Sequence, residues 1–155
     1  MTFPDFEEFI ESLNAHQVRY LIVGGYAVGF HARPRATKDI DFLIDRSAAN
    51  AARVRAALRD FLGSSAKNIT LAKLRHPRTL IVLGVAPIRI DLLTSVDGIA
   101  SFGAAWKRRV KGTYGSTPAL FVAFEDLVAS KTAARRPQDR ADLDVLQRVA
   151  ARRRK

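Results

Sequence analysis

The stretch Tyr20–Asp45, YLIVGGYAVGFHARPRATKDIDFLID, decides how this chain folds. Tyr20 to Val23 are β-favouring residues, and Gly24-Gly25 follows at once, so the backbone can turn tightly and its bare amides can approach a phosphate. Further on, Asp39-Ile40-Asp41-Phe42-Leu43-Ile44 reads as a strand, because Ile40, Phe42 and Ile44 share one face at period two. The opposite face then carries Asp39, Asp41 and Leu43.

The spacing of the two acids carries the chemistry. Residues i and i+2 of a strand point the same way roughly 6.7 Å apart, which lets two carboxylates converge on metal ions spaced about 3.5–4 Å. Without a cation, an acid pair in so apolar a stretch is disfavoured by desolvation and by mutual repulsion. The same pair also fits the solvated face of an edge strand, and the glycine turn upstream is what favours the metal reading.

Strand, Gly-Gly, a loop of this length and Asp-hydrophobic-Asp together resemble the signature of the nucleotidyltransferase superfamily that includes DNA polymerase β. The form LIVGGYAVGFHARPRATKDIDFLI looks most like the branch holding the AbiEii-type toxin nucleotidyltransferases and the aminoglycoside nucleotidyltransferases. Polymerase β has serine where this chain has Gly25, so backbone amides of Gly24 and Gly25 would serve phosphate here. Arg35 lies in the HARPRATK loop, where that branch also has an arginine and a threonine before the first Asp, and the resemblance assigns it to nucleotide binding. A third carboxylate is expected on a later strand.

Ile88-Arg89-Ile90-Asp91-Leu92-Leu93 supplies it. Ile88, Ile90 and Leu92 form one face, leaving Asp91 as the lone acid of an apolar run. A neighbouring strand lies about 4.8 Å away, close enough to bring Asp91 to the metals of Asp39 and Asp41. A salt bridge to a nearby arginine is the alternative reading. By resemblance, Asp91 sits where the superfamily's third carboxylate activates the acceptor hydroxyl.

The C-terminal third reads as two helices separated at Pro137, with Phe124, Leu127, Val128 and Lys131 on one face of the first. It resembles the later motif of the AbiEii-type branch, a helix ending in Lys followed by Arg-x-x-Asp-x-x-Asp, matched by Lys131, Arg136, Asp139 and Asp142, with Gln138 where lysine is usual. The resemblance gives Lys131 a grip on nucleotide phosphate and Asp139 an orienting role. Read without it, the two are charges at a helix junction.

Composition bounds the remainder. The chain has 155 residues, 48% hydrophobic and 26% charged, which describes one globular domain, taken as residues 1–150, with a basic tail at 151–155 expected to be frayed. There is no cysteine, hence no disulfide framework and no thiolate metal site. The opening MTFPDFEEF lacks the basic and apolar regions of a secretory leader, no apolar run is long enough to span a membrane, and a cytoplasmic setting is expected. The formal charge is +11, and it is still +7 without Arg152, Arg153, Arg154 and Lys155, so the body itself is basic. RNA or DNA is the partner such a surface attracts best, with a solubility charge or an acidic protein partner as the alternatives.

Other segments read as scaffold. Phe6, Phe9, Ile10 and Leu13 mark a helix from Pro4 to His16, and Ser47 caps another over 48–62 whose stripe is Ala51, Val54, Leu58 and Phe61. His31 is expected at a helix end or on the surface. Residues 69–74 and 79–85 are expected to be strands, 101–110 a helix, 112–117 a loop and 120–123 a short strand. Trp106, followed by Lys107, Arg108, Arg109 and Lys111, reads equally as a nucleic-acid patch or as surface charge beside a core tryptophan.

The sequence thus points to an α/β domain, a minimal nucleotidyltransferase fold with a short mixed sheet flanked by helices. The implied chemistry moves a nucleoside monophosphate from an NTP to an RNA, tRNA-like, or protein acceptor, with two Mg²⁺ or with Mn²⁺, in the setting of a toxin–antitoxin pair. A non-catalytic binding module on the same fold is one alternative. An antibiotic-modifying enzyme is another, ranked lower because a basic body repels polycationic aminoglycosides.

Overall fold

The computed structural model describes residues 3–34, 36–85 and 87–153. One mixed sheet of six strands runs in the order β3-β4-β2-β1-β6-β5, built from β1 (Tyr20–Val23), β2 (Asp39–Ile44), β3 (Leu80–Val85), β4 (Ile88–Leu93), β5 (Val110–Tyr114) and β6 (Thr117–Phe121). β1 is antiparallel to β2 and parallel to β6, while β2 is parallel to β4. The sheet and its flanking helices are those of a nucleotidyltransferase-like α/β fold.

Period-two alternation sorts the core into two layers. Tyr20, Ile22, Ile40, Phe42 and Ile44 face one way and meet Phe6, Phe9, Ile10 and Leu13 of α1 (Pro4–Ala15) and Ala51, Val54 and Leu58 of α3 (Ala48–Leu62). Leu21, Val23 and Leu43 face the other way, toward α2 (Gly24–His31), α5 (Phe102–Lys107), α6 (Phe124–Ala134) and α7 (Pro137–Arg153). Ser47 caps α3, its hydroxyl accepting the Asn50 amide, and Gly63 at φ 62° ends it. The carboxylates of β2 belong to the second face, opposite the layer that gives the fold most of its aromatic core.

Five expectations change. Residues 69–74 are not a strand: Thr70 accepts the Lys73 amide and caps the short helix α4 (Leu71–Arg75), whose only buried residue is Leu74. A single inward side chain suits a helical turn better than a half-buried strand. The helix expected over 101–110 stops at Lys107, and Val110 begins a hairpin with β6 across Gly115-Ser116, where Gly115 has φ 59°. The expected loop 112–117 is therefore mostly β5 and its turn, and the expected strand 120–123 starts earlier, at Thr117. The chain end is also better anchored than a frayed tail, since α7 runs through Arg153, whose guanidinium lies 5.3 Å over the Phe124 ring and donates to the His31 carbonyl. Arg154 and Lys155 lie outside the described residues.

Candidate active site

The site assembles where β1 ends and β2 begins. Gly24 opens α2 with φ 67°, and a Cβ there would collide with Asp41 Oδ2. Both the backbone conformation and the space exclude any larger residue. No side chain caps α2, so the first-turn amides of this helix, including Gly25, have no side-chain acceptor. An uncapped helix start beside bare glycine is a physical fit for a phosphate oxygen.

The strand register brings the acids together. In the parallel pairing of β2 with β4, Asp41 sits directly beside Asp91 and Asp39 beside Arg89. Carboxylate oxygens of Asp39, Asp41 and Asp91 all lie within 4.8 Å of one another. Asp91 is buried, and Asp39 and Asp41 are half-buried. Burial above all, then the negative charges of Asp39 and Asp91 and a hydrogen bond with Asp91, push Asp41 up to about 7, with Lys131 partly offsetting them. Three oxygen-donor side chains that repel one another in this way fit a hard divalent cation.

Arg89 is part of the same cluster. Its Nε donates to Asp91 Oδ1 at 2.8 Å and a terminal nitrogen donates to Oδ2 at 3.1 Å, a fork on the third carboxylate. Both readings of Asp91 made from sequence therefore hold at once: it joins the other two acids and it pairs with an arginine.

Across the cleft, α6 and α7 build a second charge cluster. Lys131, only 5% exposed, donates to Asp139 Oδ1 at 3.2 Å and also bridges Asp142 Oδ2 at 2.9 Å. Arg135, at φ 58°, ends α6, and Pro137 starts α7. Asp139 then reaches back to accept the Arg136 amide at 3.0 Å and the Arg136 Nε at 2.9 Å, which ties off the helix start. Burial pushes the Asp139 carboxyl up, but the bonds from Arg136 and Lys131 outweigh it and hold the group below the usual carboxylate range.

Between the clusters lies a cleft of about 500 Å³, bounded by Gly24, Asp41, Lys131, Asp139, Arg78 and Leu80 among others. Its size suits a nucleotide-sized ligand. Of the residues singled out from sequence, Gly24, Asp41, Lys131 and Asp139 line this space, while Asp39 and Asp91 adjoin Asp41 and Gly25 lies buried just inside α2. Arg35 lies outside the described residues.

Some charged residues at or beside the cleft were given no role by the sequence reading. Arg89 shares the strand face of Asp91 at i+2, so the period that found the acids also marks it. Asp142 follows Asp139 by one helical turn and was visible in the motif without a role. Arg78 gave no signal: it has φ 56° and enters the cleft only because the β3–β4 hairpin carries it there.

His31 is at a helix end but buried, its Nε2 donating to the Val122 carbonyl at 2.6 Å, with burial lowering its pKa. Two of the cations after Trp106 have partners within the protein: Arg109 stacks 4.1 Å over the indole, and the exposed Arg108 forks onto Asp126. Lys107, Arg108 and Lys111 are all exposed.

Three carboxylates on adjacent strands, set against a glycine-led helix in a mixed sheet, define the nucleotidyltransferase-like class of α/β domains. The chain belongs to the family described as nucleotidyltransferase of unknown function, DUF6036, which matches residues 2–150. The family description implies transferase chemistry on a nucleotide substrate. No curated protein matches the chain. Among the described residues no helix is long and apolar enough to cross a membrane.

Proposed function

We propose that this protein transfers a nucleoside monophosphate from an NTP to a hydroxyl of an RNA or protein acceptor, in the manner of the AbiEii-type branch and within a toxin–antitoxin pair. The observation that carries the reading is the convergence of Asp39, Asp41 and Asp91 within 4.8 Å beside Gly24. Mg²⁺, or Mn²⁺ in its place, would be held by these three carboxylates and would supply Lewis-acid charge to the triphosphate and the acceptor hydroxyl. The amides of Gly24 and Gly25 take phosphate oxygens, and Arg35, by the resemblance, serves nucleotide binding. Lys131, fixed by Asp139 and Asp142, faces the charge that grows on the departing group. The acceptor oxygen bonds to the α-phosphorus, the bond from that phosphorus to the bridging oxygen breaks, and pyrophosphate leaves with the electron pair. The acceptor proton passes to Asp91, which requires Arg89 to release it.

The cleft and the net charge of +11 favour an anionic or protein acceptor over a cationic antibiotic. One observation favours a second reading, a non-catalytic binding module: Arg89 already neutralises Asp91. Incubation with each α-labelled NTP, Mg²⁺ and total RNA or cell lysate separates the two. Label transferred by the wild type and absent with Asp41→Asn supports the transferase, whereas no labelled product from any combination leaves the binding module.

A further inference from the structure

The two edges of the sheet are finished differently. β5, at one end, carries exposed Lys111 as its second residue, a charge of the kind that keeps edge strands from pairing with other chains. β3, at the other end, reads LIVLGV, with neither charge nor proline. Of the five large hydrophobic side chains exposed among the described residues, three lie on it: Leu80 at 50%, Val82 at 45% and Val85 at 79%. Such concentration on one short strand marks an interaction surface.

The register shows which backbone groups are free. The Thr94 amide donates to the Thr79 carbonyl, making Thr79 and Thr94 a hydrogen-bonded pair across β3 and β4. Alternation from there turns the amides and carbonyls of Leu80, Val82 and Gly84 outward, away from β4. The side chains of Leu80 and Val82 stand on the carboxylate face, since they pair with Leu93 and Asp91.

This apolar edge runs into a basic trough. At the start of β3 lies a cavity of about 580 Å³ whose lining includes Arg46, Arg75 and Arg78 against a single acid, Asp45, which accepts from the Ser47 amide and hydroxyl. A second copy of this chain fits poorly, because two-fold antiparallel pairing of β3 would set the two basic troughs at opposite ends of the seam and leave each without acidic groups to meet, on a body of charge +11. A nucleic acid would suit the trough but leave the apolar edge and its outward amides uncovered. An extended polypeptide with alternating apolar residues and an acidic end matches both.

We infer that the outer edge of β3 is a strand-addition site for an acidic, extended polypeptide segment. Its backbone pairs with Leu80, Val82 and Gly84, its apolar side chains cover Leu80 and Val82, and its carboxylates enter the Arg46, Arg75 and Arg78 trough. The site needs no nucleotide chemistry and stands whether or not the chain is a transferase.

The test uses the full chain, isotope-labelled, and a synthetic peptide of alternating valine and threonine ending in a run of glutamates. Two controls accompany it, one of scrambled order and one with lysine for glutamate. The alternating acidic peptide is expected to shift the amide resonances of Leu80, Val82 and Gly84 and to bind about tenfold or more tighter than either control. Val82→Pro removes one outward amide without touching the ladder to β4, and is expected to weaken binding by about tenfold. Val82→Lys, which keeps the amide but adds a charge, should weaken it similarly. Equal affinity for all three peptides, resonance shifts away from β3, identical β3 shifts from a single-stranded RNA, or a dimer that Val82→Pro dissociates would each overturn the inference.

Discussion

Two clusters of charged side chains face the same cleft and are balanced in opposite ways. On the sheet side, Asp39, Asp41 and Asp91 crowd together with Arg89 forked onto Asp91, and burial with repulsion pushes Asp41 up to about 7. On the helix side, Lys131 sits between Asp139 and Asp142 with Arg136 completing the set, and Asp139 is held below its ordinary range. The helix cluster is satisfied by its own residues. In the sheet cluster the three carboxylates repel one another strongly enough to raise Asp41, a repulsion that a divalent cation would relieve. Similar side chains thus make a closed joint in one place and a candidate cation site in the other, and the opposite shifts of Asp41 and Asp139 mark the difference.

The comparison breaks most sharply at Asp41. Asp41→Asn is expected to reduce nucleotidyl transfer by on the order of 10³-fold, the scale of losing a principal source of charge stabilisation, measured as labelled product per unit time. Lys131→Met acts on stability instead. It leaves Asp139 and Asp142 buried without their shared cation and should cost about 3–5 kcal/mol in chemical denaturation, the range for breaking a buried pair. If this variant unfolds at the wild-type denaturant concentration, the helix cluster is not the closed joint described. Gly24→Ala joins the two effects, because the added methyl needs a left-handed backbone and meets Asp41. It is expected to destabilise the protein by about 1–3 kcal/mol.

The pH dependence of stability should carry opposite signs for the two clusters. Asp41 keeps its proton in the fold up to about 7, whereas an unfolded aspartate releases it near 3.9. Between those values the unfolded state holds fewer protons, so without metal Asp41 lowers stability as pH rises, with the full penalty above about 7. The melting temperature of Asp41→Asn should therefore exceed that of the wild type by roughly 3–6 °C at pH 8 and match it at pH 4. Asp139 works the other way: its stabilisation is present above the unfolded pKa and is lost as pH falls through the depressed folded value. Arg89→Gln is the smallest change. Removing the fork from Asp91 should tighten divalent-cation binding by about threefold in calorimetric titration, and weaker binding would mean that Arg89 organises the site instead of competing for it.

Much of the sheet cluster was legible because strands have a strict period. Ile40, Phe42 and Ile44 define one face, which leaves Asp39 and Asp41 on the other, and the same rule applied to Ile88, Ile90 and Leu92 isolates Asp91. The helix cluster needed a resemblance to a known motif, since Lys131 and Asp139 meet only through the left-handed Arg135 and the restart at Pro137. The β5–β6 hairpin was hidden because Gly112, Gly115 and Pro118 read as loop residues, although a two-residue turn makes two of the three compatible with pairing at the sheet end. Residues 69–74 misled because Ile69 and Thr70 favour strands, while the Thr70 hydroxyl acts as a helix cap. Arg78 was invisible for the simplest reason: its place in the cleft depends on how a hairpin is laid beside Asp91, which no local pattern records.

The most direct test is a titration of Mn²⁺ into the purified full chain, followed by electron paramagnetic resonance, for the wild type and for Asp91→Asn. A saturable site in the wild type, weakened by about tenfold or more in the variant, is the expected result. Weak uptake that does not saturate and is identical in both proteins would contradict the claim that Asp39, Asp41 and Asp91 form a cation site.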